Sequence, residues 1–152
     1  MRNFRRAAQL LFSADARHEF YVGKVQQANR ALDSALKSPA NPAAGVLEPA
    51  SSALLWARKT EGRDPLLALG TYTHVAFATQ NLRDGANTTT RECAVDKIIG
   101  LVPRIENAHP TQASAALFQV MQSTTNANQL AQAAVLLGSV IPKAKAQAHT
   151  PS

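Results

Sequence analysis

Apolar residues recur every three or four positions along most of the chain and nowhere alternate with polar ones over any length. That period places them on one side of a helix, so the pattern predicts helices and no sheet. Tyr21, Val25, Ala28, Leu32 and Ala35 form one such stripe and predict a helix over residues 16–37, with Lys24, Arg30, Asp33 and Lys37 off it. Gly23 inside it costs helix stability and marks a candidate close approach of another backbone. Ala50, Ala53, Leu54 and Ala57 predict a helix that starts at Pro49, near Glu48, and stops at Gly62.

Residues 64–85 read as the packing axis. Asp64 can cap, Pro65 suits the first helical position, and Gly85 can end the helix. No charge interrupts residues 66–82, which suits a helix surrounded by others. The very short connection from the preceding helix predicts that the two form an antiparallel hairpin. Thr89-Thr90-Arg91-Glu92 fits a capping box that opens a helix carrying Ala94, Ile98 and Leu101, ended or kinked by Pro103. His109-Pro110 opens another, with Ala113, Ala116, Leu117, Val120 and Met121 inside. The last carries Ala127, Leu130, Ala131, Ala134 and Leu137 and is predicted to end at Gly138 and Pro142.

The expected fold is all-α: six or seven short helices as antiparallel hairpins, in an orthogonal bundle or a short helical-repeat-like stack. The expected organisation is a basic N-terminal helical arm (1–37), a Pro/Ala/Gly linker (38–45), a compact helical body (46–141) and a mobile basic tail (142–152). Two prolines and a glycine in the linker argue against a helix there.

Composition sharpens this picture. The 29 alanines against eight aromatic residues imply a core of many close helix contacts, each burying little area. The net charge of +6 is unevenly placed: residues 1–17 carry +3, residues 142–152 carry +2, and the middle carries +1. Residues 1–12 have no acid. Arg2, Arg5, Arg6 and Gln9 lie on one side of a short helix, with Phe4, Ala8, Leu11 and Phe12 on the other. This is the make-up of a mitochondrial targeting segment, of an arm that docks on a membrane surface or acidic partner, or of an ordinary first helix. No stretch approaches the roughly 18 apolar residues of a membrane span.

Candidate chemistry is sparse. No two of His18, His74, His109 and His149 lie at metal-binding spacing, and one cysteine, Cys93, cannot build a thiol cluster. His74 reads either as a proton carrier or ligand, or as a hydrogen-bonded residue at a helix contact. Cys93 is placed in the first turn after the capping box, as a buried small residue. No glycine-rich phosphate loop is present. No metal or cofactor is expected. Arg58, Lys59 and Arg63 are the one tight basic cluster of the body, offset by Glu61 and Asp64, and Asn126, Asn128, Gln129 and Gln132 lack a neighbouring cation. Direct nucleic-acid binding is therefore disfavoured. The expectation is a non-enzymatic structural or accessory subunit of a multi-protein assembly. The setting would be mitochondrial (ATP synthase, respiratory chain or ribosome). The alternatives are a phage or bacterial structural component, cytoplasmic or in the virion, and a small basic nucleic-acid-associated protein. Arg2, Phe4, Arg5, Arg6, Leu11, Phe12 and Trp56 are the candidate partner-binding residues.

Overall fold

The structure is a computed structural model that describes residues 2–38 and 41–148, with side chains from residue 13 onward. Six helices follow one another: α1 (Arg2–Lys37), α2 (Pro42–Thr60), α3 (Pro65–Thr79), α4 (Gly85–Ile105), α5 (Pro110–Ser123) and α6 (Ala127–Ala148). No strand occurs among the described residues. The most extensive contacts are within α1/α2, α3/α4 and α5/α6. The others join each helix to the next, or to the next but one: α1 to α3, α2 to α4, α3 to α5 and α4 to α6. Among the described residues no helix contacts one further along the chain. That is the contact pattern of an open stack of three hairpins, the repeat-like alternative, and not of a closed ring of helices.

α3 touches α1, α2, α4 and α5, which is why its sequence carries no charge. Asp64 accepts from the Leu67 N–H at its start and Pro65 sits in the first turn, as the sequence predicts. The end differs. α3 stops at Thr79, and Asp84 and Gly85 open α4 instead of closing α3. Asp84 accepts from the Asn87 N–H, so it is an N-cap. The expected capping box lies inside α4. There the Thr89 and Thr90 hydroxyls donate back to the Gly85 and Ala86 carbonyls, one turn earlier. The expected pairing of the helix before residue 62 with the 64–85 helix is present as the α2/α3 contact, somewhat less extensive than α1/α2 and α3/α4.

Three boundaries extend past prolines. α2 begins at Pro42, not Pro49, α4 runs through Pro103 to Ile105, and α6 runs through Gly138 and Pro142 to Ala148. Each of Pro49 and Pro142 robs the carbonyl four residues earlier of its donor, and those carbonyls belong to Gly45 and Gly138, both exposed. With no side chain on either residue to shield it, a carbonyl there can bond to solvent in place of the missing N–H. α1 is a single helix where two were expected, and Gly23 marks no close approach, since a Cβ added there meets nothing within 4 Å. Residues 149–152 of the expected tail lie outside the described residues.

The α3–α4 joint is built on Arg91. Its side chain is 1% exposed. One guanidinium nitrogen donates to the carbonyls of Thr79 (2.6 Å) and Leu82 (2.8 Å), and the other to the Thr88 hydroxyl (3.4 Å). It thus joins the Leu82 N–H at the last carbonyl of α3 and supplies a donor to the Leu82 carbonyl of the connecting segment. Burial, and then the nearby Arg83, push its pKa below the ordinary value, although a guanidinium stays charged. Asn87 is fully buried one turn earlier. Its amide nitrogen donates to the Ala43 carbonyl (2.8 Å) and to both Asp84 oxygens (3.0 Å), anchoring the start of α2.

Replacing Arg91 with Ala leaves the Leu82 carbonyl without this donor and the Thr79 carbonyl with the Leu82 N–H alone, and is expected to cost about 2 kcal/mol in urea denaturation. Arg91→Lys should recover only part, because an ammonium cannot fork across both carbonyls. A loss under about 0.5 kcal/mol in the alanine variant would refute this role. The Asn87 side-chain and backbone bonds hold the Asp84 carboxyl below its ordinary value of 3.8. A depressed acid contributes stability above its unfolded value and loses it as pH falls through the native one. The stability gap between wild type and Asp84→Asn is therefore expected to narrow from about pH 5 to about pH 2. A gap constant over that range would contradict the cap.

Candidate interaction surfaces

The best-formed exposed constellation lies on the first hairpin. α1 presents Phe20, Tyr21 and Lys24 within five residues, and α2 brings Trp56 and Lys59 opposite them. Phe20 meets Trp56 edge to face at 5.7 Å and Tyr21 at 6.1 Å, while Tyr21 and Trp56 are tilted at 5.8 Å. Such pairs gain about 1 kcal/mol beyond area burial. Lys24 sits 5.3 Å over the Phe20 ring and Lys59 5.4 Å over the Tyr21 ring. Phe20 is nonetheless 54% exposed, and Leu55 nearby is also exposed. Beyond Trp56 the small residues Ala28, Ala31, Gly45 and Ser52 leave a groove of about 430 Å³ between the helices, with Lys24 and Glu48 on its walls. Arg63 pairs with Asp15 at 2.9 Å and closes this hairpin at its far end. α1 continues beyond Asp15 as helix back to Arg2.

Of the candidate partner-binding residues, the structure places Trp56 here, half-buried. The side chains of Arg2, Phe4, Arg5, Arg6, Leu11 and Phe12 lie outside the described ones. Phe20 and Tyr21 are not among the sequence candidates: Tyr21 lies on the apolar stripe of α1, and nothing local says that Phe20, off the stripe, meets a tryptophan 36 positions later.

A second feature is polar. His74 lies where α3 meets α1. Its Nδ1 is 2.9 Å from Asn29 Oδ1 and its Nε2 is 2.8 Å from Asp33 Oδ1. The Thr71 hydroxyl donates to the Leu67 carbonyl and accepts from the Asn29 amide nitrogen. That leaves Asn29 Oδ1 facing the ring, so Nδ1 is the donor. A neutral ring spends its one proton there, and only an imidazolium can also donate to Asp33. The arrangement is a hydrogen-bonded helix contact, bordered by an open hollow of about 350 Å³ lined by Leu66, Leu67 and Gly70. On the other side of α3, the Tyr72 hydroxyl donates to Glu61 (2.7 Å), whose other oxygen accepts from Arg104 (3.1 Å). Burial and that carboxylate push the phenol above its ordinary value, so it serves as a donor.

Cys93 is not the buried residue of a first turn. It is exposed, in the third turn of α4. Gln129 and Asn126, read as possible surface contacts, are used inside the fold. Asn126 caps α6 through the Gln129 N–H, and the buried Gln129 side chain donates to the Glu92 carbonyl (2.9 Å) and Asp96 (2.8 Å). Among the described residues no group of three or more His, Cys, Asp or Glu side chains could hold a metal, and no helix is long and apolar enough to cross a membrane.

Asn29→Ala is expected to cost about 1–2 kcal/mol, because Thr71 and His74 both lose a partner. In a double-mutant cycle with His74→Ala, the two losses should fall short of additivity by at least about 0.5 kcal/mol. Strict additivity would show that the network is not coupled. No family model, curated protein or solved structure matches this chain.

Proposed function

We propose that this chain is a non-enzymatic structural or accessory subunit of a larger multi-protein assembly, and that its first hairpin docks it there. The observation that carries the reading is the Phe20–Tyr21–Trp56 cluster, with Phe20 exposed, Tyr21 and Trp56 half-buried, and Lys24 and Lys59 over its rings. Aromatic anchors bordered by cations are the make-up of binding hot spots. Exposing Phe20 to water costs free energy that a partner surface would recover. Residues 1–63 carry ten Lys/Arg against five Asp/Glu, a net +5, while residues 64–152 carry six against five. A partner with an acidic rim around an apolar centre suits that hairpin. The acid-free composition of residues 1–12 supports a mitochondrial complex as the setting. A phage or bacterial structural role would use the same hairpin.

The same cluster favours a second reading, in which bases of a single-stranded nucleic acid stack on the rings and phosphates meet the lysines. Purification of the endogenous protein under gentle conditions, with native mass and partners identified, tests the first reading. Co-purification of partner proteins is expected, with a Phe20→Ala/Trp56→Ala double variant of unchanged helicity retaining at least tenfold less of them. Migration as a lone chain would overturn it. Binding to DNA and RNA across a salt series tests the second, and negligible affinity at low salt would remove it.

A further inference from the structure

The opposite end of the stack has another character. From Pro110 to Pro142 the chain contains no Asp, Glu, Lys, Arg or His, so α5 and most of α6 are uncharged on every side, including those facing water. α6 is the last helix of the stack, and among the described residues it touches only α4 and α5. Its inward side is Gln129, Ala133, Leu137 and Val140. Its outward side is largely apolar: Ala127, Ala131, Ala134, Val135, Gly138 and Pro142 are all exposed, Val135 at 76%, with Asn128 among them and Gln132 and Ser139 at the flank. Leu130 stands partly exposed at one edge. At the other edge Val135 and Leu136 line an apolar hollow of about 400 Å³ with Ile99 and Pro103 of α4. A helix that is apolar on both sides is ordinarily covered on both sides.

We propose that the outward face of α6 is the contact surface for a second copy of this chain, paired about a two-fold axis. Charge placement selects this occupant. A copy with net charge +6 is repelled wherever its cationic surface meets another, and five of those six net charges lie in residues 1–63. Two α6 faces meeting over Ala127 to Pro142, short of the exposed Lys145, bury no unpaired charge on either side. Head-to-head pairing there sets the two first hairpins at opposite ends of a six-hairpin stack. At about 10 Å per packed helix layer they are several Debye lengths apart. Isologous pairing also brings like residues together near the axis. Ala131 and Ala134 let two identical helices approach closely, with Val135 as the larger side chain that fills the seam.

The measurement is the solution mass of the purified full chain by sedimentation equilibrium at about 100 µM, for wild type and Val135→Lys. Wild type is expected at the mass of two chains. Val135→Lys, at an exposed helical position, is expected to keep its helicity and thermal midpoint and to shift to one chain, with association weakened at least tenfold. Raising the salt should leave the wild-type dimer little changed, since the cationic ends are already screened from each other by distance and the seam carries no charge. A Cys93→Ser/Ala134→Cys variant should form an interchain disulfide under mild oxidation. A wild-type chain that sediments alone would overturn the proposal and leave the face to a different partner. A dimer untouched by Val135→Lys would overturn it too, by locating the contact elsewhere.

Discussion

One amide side chain at each contact between a helix and its next-but-one neighbour sets the register of this fold. Asn29 joins α1 to Thr71 and His74 of α3. Asn87 joins α4 to the Ala43 carbonyl of α2. Gln119 of α5 donates to Gln80 at the end of α3, and Gln129 joins α6 to Glu92 and Asp96 of α4. Interfaces floored by Ala53, Ala57, Ala68, Ala76, Ala94, Ala113, Ala116 and Ala133 gain close approach but little shape to fix one helix against another. A smooth interface slides. A buried or half-buried amide that loses its partner costs more than the bond it makes, so each one penalises a shifted register. The skip contacts need this most, because no short loop holds them.

The arrangement also decides what is left for function. In a linear stack the two ends and the long faces stay open, and here the ends differ sharply. The first hairpin offers aromatic rings with lysines over them. The last offers an uncharged, mostly aliphatic face. The interior polar groups, including His74, Tyr72 and Gln129, are committed to joining helices. A molecule with its polar chemistry directed inward and two unlike outer surfaces suits an assembly component.

Much of the architecture was legible in the sequence. The period of three and four gave the helices, and the charge-free run 66–82 marked α3 as the axis, with Asp64 and Pro65 at its start. The boundaries that were missed share a cause. Asp84-Gly85 serves equally as a stop or a start, and only Arg91, folding back onto Thr79 and Leu82, settles which. Pro49 and Pro142 look like breakers until the carbonyls they orphan prove to belong to exposed glycines. Trp56 could be singled out as a lone large aromatic, but its neighbours Phe20 and Tyr21 come from another helix. The roles of Gln129 and Asn87 are not legible because local sequence carries no sign of the helix two places away.

The central claim is that the three hairpins form an open stack, with α3 and α4 each held by four neighbours and α1 and α6 by two. Native-state hydrogen exchange, resolved by segment, tests this most directly, because in a linear array the ends open more readily than the middle. The account predicts the slowest exchange in α3 and α4, faster exchange in α1 and α2, and a slowing in α6 only at concentrations where it is covered. Equal protection across all six helices at every concentration, or slower exchange in α1 than in α3, would contradict it.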